Sequence, residues 1–202
     1  LSRERLCSVL DVEPNELIDI LGWAMHNPQP LNTVSSGPVL ENTQEAVALS
    51  KLPIPHHFRE DLGRYMSASI VIAEYDGDRN VSFHRQLLRD DEHVVARLVP
   101  RHLRTMLDNA RLNGDTIPIA IVNGCDPVVL LAAAMSFEQH IDELTVASSL
   151  HERFYGVPLP FVILENGIPV PANAEYAMAA EITLDDDIEG PYVDITGTID
   201  EQ

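Results

Sequence analysis

Lysine is almost missing. Lys51 is the single one among 202 residues, and no glycine-rich loop surrounds it, which argues against a Schiff-base lysine or a phosphate-loop lysine. Cysteine is nearly as scarce. Cys7 and Cys125 stand far apart without a CxxC spacing, the pattern of reduced thiols in a cytoplasmic protein. No apolar run approaches the ~18 residues of a membrane span, and the first residues carry no signal-peptide pattern. Positive charge is also short: 32 aspartates and glutamates face 13 lysines and arginines, a formal charge of −19. Nucleic-acid backbones and anionic membrane surfaces are therefore repelled overall, and any anionic ligand must be drawn by a local group of arginines. The same acidity suits a high-salt cytoplasm or a biased genome equally well.

What is present is enough for a core. The chain is 45% hydrophobic and 22% charged, sufficient for one large domain or one with a smaller attachment. Leu6, Val9 and Leu10, then Leu17, Ile20, Leu21 and Ala24, recur at helical spacing, with Asn15 as a cap and Asn27-Pro28 as a stop. Residues 28–57, rich in Pro, Asn, Ser and Gly, read as a connection and boundary with one helical turn near Glu45 to Ser50. From Tyr65 the pattern becomes strand-like: MSASIVIAEY, the turn DGD, RNVSFHRQLL and HVVARLV form an antiparallel meander. Pro100 opens an amphipathic helix with Leu103, Met106, Leu107 and Ala110 on one face and Gly114 at its end. A buried strand (IPIAIVNG), two helices (DPVVLLAAAM and IDELTVASSLHERFYG) and two more strands (PLPFVIL and IPVPANAEYAMAAEITL) follow. Hairpins interrupted by helices imply an α+β fold whose sheet can close as a small barrel.

The stretch RNVSFHR is unusually polar for a strand. Asn80, Ser82 and His84 share one face, and Val81, Phe83 and Arg85 the other. If Val81 and Phe83 face the core, Arg85 is carried inward and must meet an anion; the plainer alternative is an arginine past the core edge, paired with a nearby acid. His102 opens a helix, where free amides attract phosphate or carboxylate, and Arg101 reinforces that pull. Asn80, His102 and Glu143 could together offer oxygen, nitrogen and oxygen to Mn²⁺ or Mg²⁺. Glu189 and Asp194 flank Gly190-Pro191, and two carboxylates near an arginine are what proton transfer needs; a solvated acidic tail is the alternative, as it is for Glu175 and Glu181.

Six stretches carry a resemblance: LPIPHHFREDLGRYMSASIVIA, RNVSFHR, LVPRHL, DPVVLLAAAM, VPANAEYAMAAEI and EGPYVDITG. In their order and spacing they resemble the UbiD family of carboxy-lyases, from about Leu52 to Asp200. The resemblance implies an antiparallel split β-barrel of flavin-reductase type over residues 51–202, with residues 1–50 a remnant of an N-terminal domain and linker, and a C-terminal domain lacking. It implies prenylated FMN as cofactor, supplied by a flavin prenyltransferase, and a divalent ion on Asn80, His102 and Glu143. Asn80, Ser82, Phe83, His84, Arg85, Arg101, His102 and Met135 would bind the flavin cofactor, and Ala132, Ala133 and Met135 would hold K⁺ by carbonyl oxygens. Arg85, Glu189 and Asp194 would be catalytic; aspartate at 194 is one methylene shorter than the family's usual glutamate. The implied reaction is reversible, non-oxidative decarboxylation of an α,β-unsaturated or aromatic carboxylic acid, with RNVSFHR and LVPRHL similar to members acting on anhydromevalonate phosphate in isoprenoid synthesis. The implied assembly is a homo-oligomer or a pairing with a companion subunit. A flavin-binding or assembly subunit without chemistry, and an ordinary flavin reductase oxidising NAD(P)H, are the competing classes.

Overall fold

A computed structural model describes residues 2–44, 47–136 and 141–201. The chain opens with helices α1 (Arg3–Leu10) and α2 (Leu17–His26). Ser2 caps α1 by accepting from the Arg5 amide. α2 is capped by Glu16, one residue past the expected Asn15, with no side-chain cap bond. A two-residue strand, β1 (Asn32–Thr33), follows. The helical turn expected near Glu45 is a 3-10 turn at Leu49–Lys51; Glu45 and Ala46 lie outside the described residues.

The meander bends in its middle. Asp76 and Gly77 both take positive φ, 53° and 83°, the conformation of the tight hairpin turn whose twist matches its strands. They join β3 (Ile70–Tyr75) to β4 (Asp78–Phe83), preceded by the short β2 (Tyr65–Met66) and followed by β5 (Gln86–Leu88). Both arms of the hairpin break at one height, at residues 67–69 and 84–85. Beyond the break the arms leave the main sheet. β2 and β5 pair there with β6 (Val94–Ala96) in the order β2-β5-β6. The run expected as one strand from Arg79 is therefore two strands around a kink at His84 and Arg85.

Helix α3 (His102–Asn113) buries Leu103, Met106, Leu107 and Ala110, the face its periodicity specifies, and ends on Gly114 at φ 75°. β7 (Ile117–Asn123), α4 (Pro127–Ala134), α5 (Glu143–Tyr155), β8 (Pro160–Ile163), β9 (Pro169–Pro171) and β10 (Tyr176–Ile182) come next, and the hairpin β11 (Tyr192–Val193) with β12 (Ile199–Asp200) ends the chain. The central sheet is antiparallel in the order β10-β7-β3-β4. β3 is buried on both faces. Ile70 and Ile72 join Val81, Ala120 and Val122 in a core shared with the four helices α1, α2, α4 and α5. Val71 and Ala73 join Ile117, Ile119 and Ile121 in a second core under α3. β4 and β10 are the two edge strands of this sheet.

The architecture is α+β. Among the described residues the strands form four separate sheets, and no ladder closes any of them into a barrel. Among those residues no helix is long and apolar enough to cross a membrane.

Candidate active site

A cavity of about 640 Å³ opens beside the free edge of β4, a size in the range of cofactor pockets. Its walls are Asn80 to His84 of the edge strand, Arg101 to Leu103 at the start of α3, Ala133 to Ser136 at the end of α4, and Glu143 at the start of α5. An edge strand presents unpaired amides that need partners. Glu143 supplies one: its Oε2 accepts from the Val81 amide at 3.0 Å and its Oε1 from Asn80 Nδ2 at 3.3 Å. Glu143 is buried, and burial pushes its pKa up to about 7 against the hydrogen bonds that favour the ionised form. No cationic side chain pairs with it among the described residues.

Polar contacts run along the strand. Ser82 Oγ lies 2.8 Å from Asn80 Oδ1 and 2.9 Å from His84 Nε2, and His84 Nδ1 donates to the Arg97 carbonyl at 3.1 Å. Burial lowers the His84 pKa, which favours the neutral imidazole. Nine candidate site residues named from the sequence thus share one cavity: Asn80, Ser82, Phe83, His84, Arg101, His102, Ala133, Met135 and Glu143. Phe83, which strict alternation places on the face of Val81, is 40% exposed at the last position of an edge strand and forms cavity wall. Among the described residues no group of three or more His, Cys, Asp or Glu side chains is gathered for a metal. The expected triad holds only two of those types, His102 and Glu143, beside an amide. Ala132 and Ala133 belong to α4, where the Ala132 carbonyl accepts from the Met135 amide at 3.1 Å.

Arg85 does not line this cavity. The kink sends it to the other side of His84, where Nε donates to Glu189 Oε1 at 2.8 Å and Nη2 to Glu189 Oε2 at 2.7 Å. Nη2 also donates to Asp200 Oδ2 at 2.9 Å. Its guanidinium stacks on Tyr192, 4.4 Å from the ring centre. Tyr65 packs edge-on against Tyr192 and donates to the Glu189 carbonyl. Burial raises the Glu189 pKa, opposed by the bonds from Arg85.

Among the described residues the acids that contact Arg85 are Glu189 and Asp200, not Asp194. Asp194 sits in the turn of the terminal hairpin, where its Oδ1 accepts from Thr196 Oγ1 and from the Thr196 and Thr198 amides. Those bonds, the Thr196 hydroxyl first, hold its pKa below the usual carboxylate range. Glu181 accepts from Thr116, and the Glu175 amide donates to the Gly124 carbonyl. Sequence reasoning missed Asp200, Arg97, Tyr192 and Tyr65. Their signal is cross-strand pairing, invisible without the register.

The domain model of the 3-octaprenyl-4-hydroxybenzoate carboxy-lyase Rift-related domain, UbiD, matches residues 32–202. The chain belongs to the UbiD family. It is 37% identical over 201 residues to an anhydromevalonate phosphate decarboxylase of Methanosarcina mazei, covering 98% of this chain and 46% of that protein. It is 30% identical over 193 residues to a pyrrole-2-carboxylic acid decarboxylase of Pseudomonas aeruginosa, covering 91% and 38%. Among solved structures it superposes on an evolved dimeric form of the UbiD-class enzyme HmfF of Pelotomaculum thermopropionicum, in complex with prFMN. The TM-score is 0.90 at 31% identity, over 98% of this chain and 47% of that one. The chain thus spans about half the length of the curated relatives it matches.

Proposed function

We propose that this chain is the flavin-binding part of a reversible, non-oxidative decarboxylase acting on an α,β-unsaturated or aromatic carboxylic acid, with prenylated FMN in the cavity beside β4. The supporting observation is the convergence of nine residues from the edge strand, the starts of α3 and α5 and the end of α4 on that one cavity. Anhydromevalonate phosphate is the first substrate to try, because the M. mazei protein bears that name. In this reading the central sheet and the small sheet β2-β5-β6 are the parts of a split β-barrel spanning residues 51–202. The enzyme is cytoplasmic, receives its flavin from a prenyltransferase, and works as a homo-oligomer or with a companion domain.

Prenylated FMN, when bound, supplies the electron sink for loss of CO₂. Asn80, His102 and Glu143 would hold a divalent ion, Mn²⁺ or Mg²⁺. The donor set fits: amide, imidazole and carboxylate line one cavity, and the buried carboxylate has no cationic partner among the described residues. Ala132, Ala133 and Met135 are the K⁺ candidates. Arg85 would orient the substrate carboxylate by charge-assisted hydrogen bonds while Glu189 fixes the guanidinium edge. Asp194 would return the proton to the product carbon. Its three hydrogen bonds must be released before it carries one.

The test uses the full-length protein, produced with a flavin prenyltransferase and Mn²⁺ and assayed for CO₂ release from anhydromevalonate phosphate and pyrrole-2-carboxylate. Arg85→Ala is expected to lower turnover by more than ~100-fold while flavin stays bound. Full turnover in that variant refutes the assignment.

A further inference from the structure

The surroundings of Arg85 form a second constellation, joined to the cavity wall through His84. In the sheet β2-β5-β6, Gln86 pairs with Ala96, so Arg85 and Arg97 stand next along the same two chains, opposite one another. Like charges in such a position repel. In the terminal hairpin, Tyr192 pairs with Asp200. The two pairs meet: Tyr192 takes the face of the Arg85 guanidinium, and Asp200 Oδ2 takes both Arg85 Nη2 and Arg97 Nη1. One carboxylate oxygen therefore lies between two guanidiniums that would otherwise push apart.

The bonding of Arg85 is then nearly complete. Nε and Nη2 are committed to Glu189, Nη2 also to Asp200, and the face to Tyr192. Nη1 alone has no protein partner among the described residues. Arg97 is tied a second way, since its carbonyl accepts from His84 Nδ1. It thus grips both residues of the kink: His84, which walls the cavity, through its backbone, and Arg85 through Asp200.

We propose that Arg97 and Asp200 are positioning residues that fix the Arg85 guanidinium so that Nη1 is the edge offered to the substrate's carboxylate. Glu189 fixes the Nε–Nη2 edge by two bonds, which leaves the guanidinium only the freedom to move together with the Glu189 side chain. A second carboxylate, itself anchored by Arg97, removes that freedom. The substrate-facing role of Nη1 rests on the decarboxylase reading above; the anchoring of Arg85 does not.

The experiment uses the full-length protein loaded with prenylated FMN and Mn²⁺, with Asp200→Asn, Arg97→Met, the double variant and Asp200→Glu. Each of the first two should lower kcat/KM for anhydromevalonate phosphate ~100-fold, the size of effect a misplaced guanidinium produces. The double variant should be no worse than the poorer single, because both break one linkage. Asp200→Glu should stay well above Asp200→Asn, and flavin content should not change. An independent reading is solvent exchange of the Arg85 guanidinium protons by NMR, expected to accelerate in Asp200→Asn and in Arg97→Met alike. If one of those two variants does not fold, the other still cuts the linkage. Losses that multiply in the double variant, that follow loss of flavin, or an Arg85 exchange rate identical to the parent's, overturn the inference. If the parent decarboxylates neither carboxylate, the decarboxylase reading falls instead, and the exchange rates alone decide whether Arg97 and Asp200 anchor Arg85.

Discussion

Replacing Glu143 by glutamine tests the electrostatics of the cavity. The carboxyl is almost fully buried, and its pKa stands at about 7 rather than 4.5 because burial opposes the charge. At ~1.4 kcal/mol per pH unit, that difference penalises the ionised form by about 3 kcal/mol. The direction follows from linkage. A raised folded-state pKa gives stability that is complete below the unfolded value and lost as pH rises through the folded one. In metal-free protein, stability from this group therefore falls between about pH 4.5 and pH 7. Glutamine does not titrate; it keeps an acceptor for the Val81 amide and costs about 1 kcal/mol by disturbing the Asn80 contact. Glu143→Gln should match the parent in stability near pH 5 and exceed it by about 2 kcal/mol at pH 8. Urea unfolding in the presence of a chelator, repeated from pH 5 to pH 8, measures the difference. Added Mn²⁺ should reverse it, stabilising the parent and not the variant. A difference that stays flat with pH refutes the reasoning, because it would mean the carboxylate pays nothing for its burial.

Tyr65→Phe removes the donor to the Glu189 carbonyl and should destabilise the fold by ~1–3 kcal/mol in urea unfolding, since it leaves a buried acceptor unpaired; an unchanged midpoint would contradict the contact. Asp194→Asn keeps the size of the side chain and removes its proton-carrying capacity. The proposed donor role predicts a ~100-fold loss of kcat with flavin content unchanged, read by CO₂ release; full turnover would remove Asp194 from the reaction.

Periodicity and turn chemistry carried much of the fold. The buried face of α3 and the Asp-Gly hairpin follow from local rules and appear where those rules put them. The long run Ile168–Leu184 did not hold as one strand, because residues 172–175 turn between β9 and β10. The kink at His84 and Arg85 was hidden for a similar reason. Strict alternation would carry Arg85 to the face of Val81, whereas the strand stops at Phe83 and the chain changes sheets. Arg85 reaches an acid all the same, by bending around His84. The cavity residues were readable from their types and from family resemblance, with His102 and Glu143 brought to one cavity although they sit on separate elements. Asp200 was not readable: one acid among 32 has no local mark, and its place beside Arg85 comes from the pairing of Tyr192 with Asp200 in the terminal hairpin.

The most direct measurement is an anomalous difference map at the manganese absorption edge, from crystals of the full-length protein loaded with prenylated FMN and Mn²⁺. The account predicts a single strong peak within bonding distance of Asn80, His102 and Glu143, with the flavin phosphate beside it in the cavity along β4. A flavin bound elsewhere, or a manganese peak away from those three side chains, would contradict it.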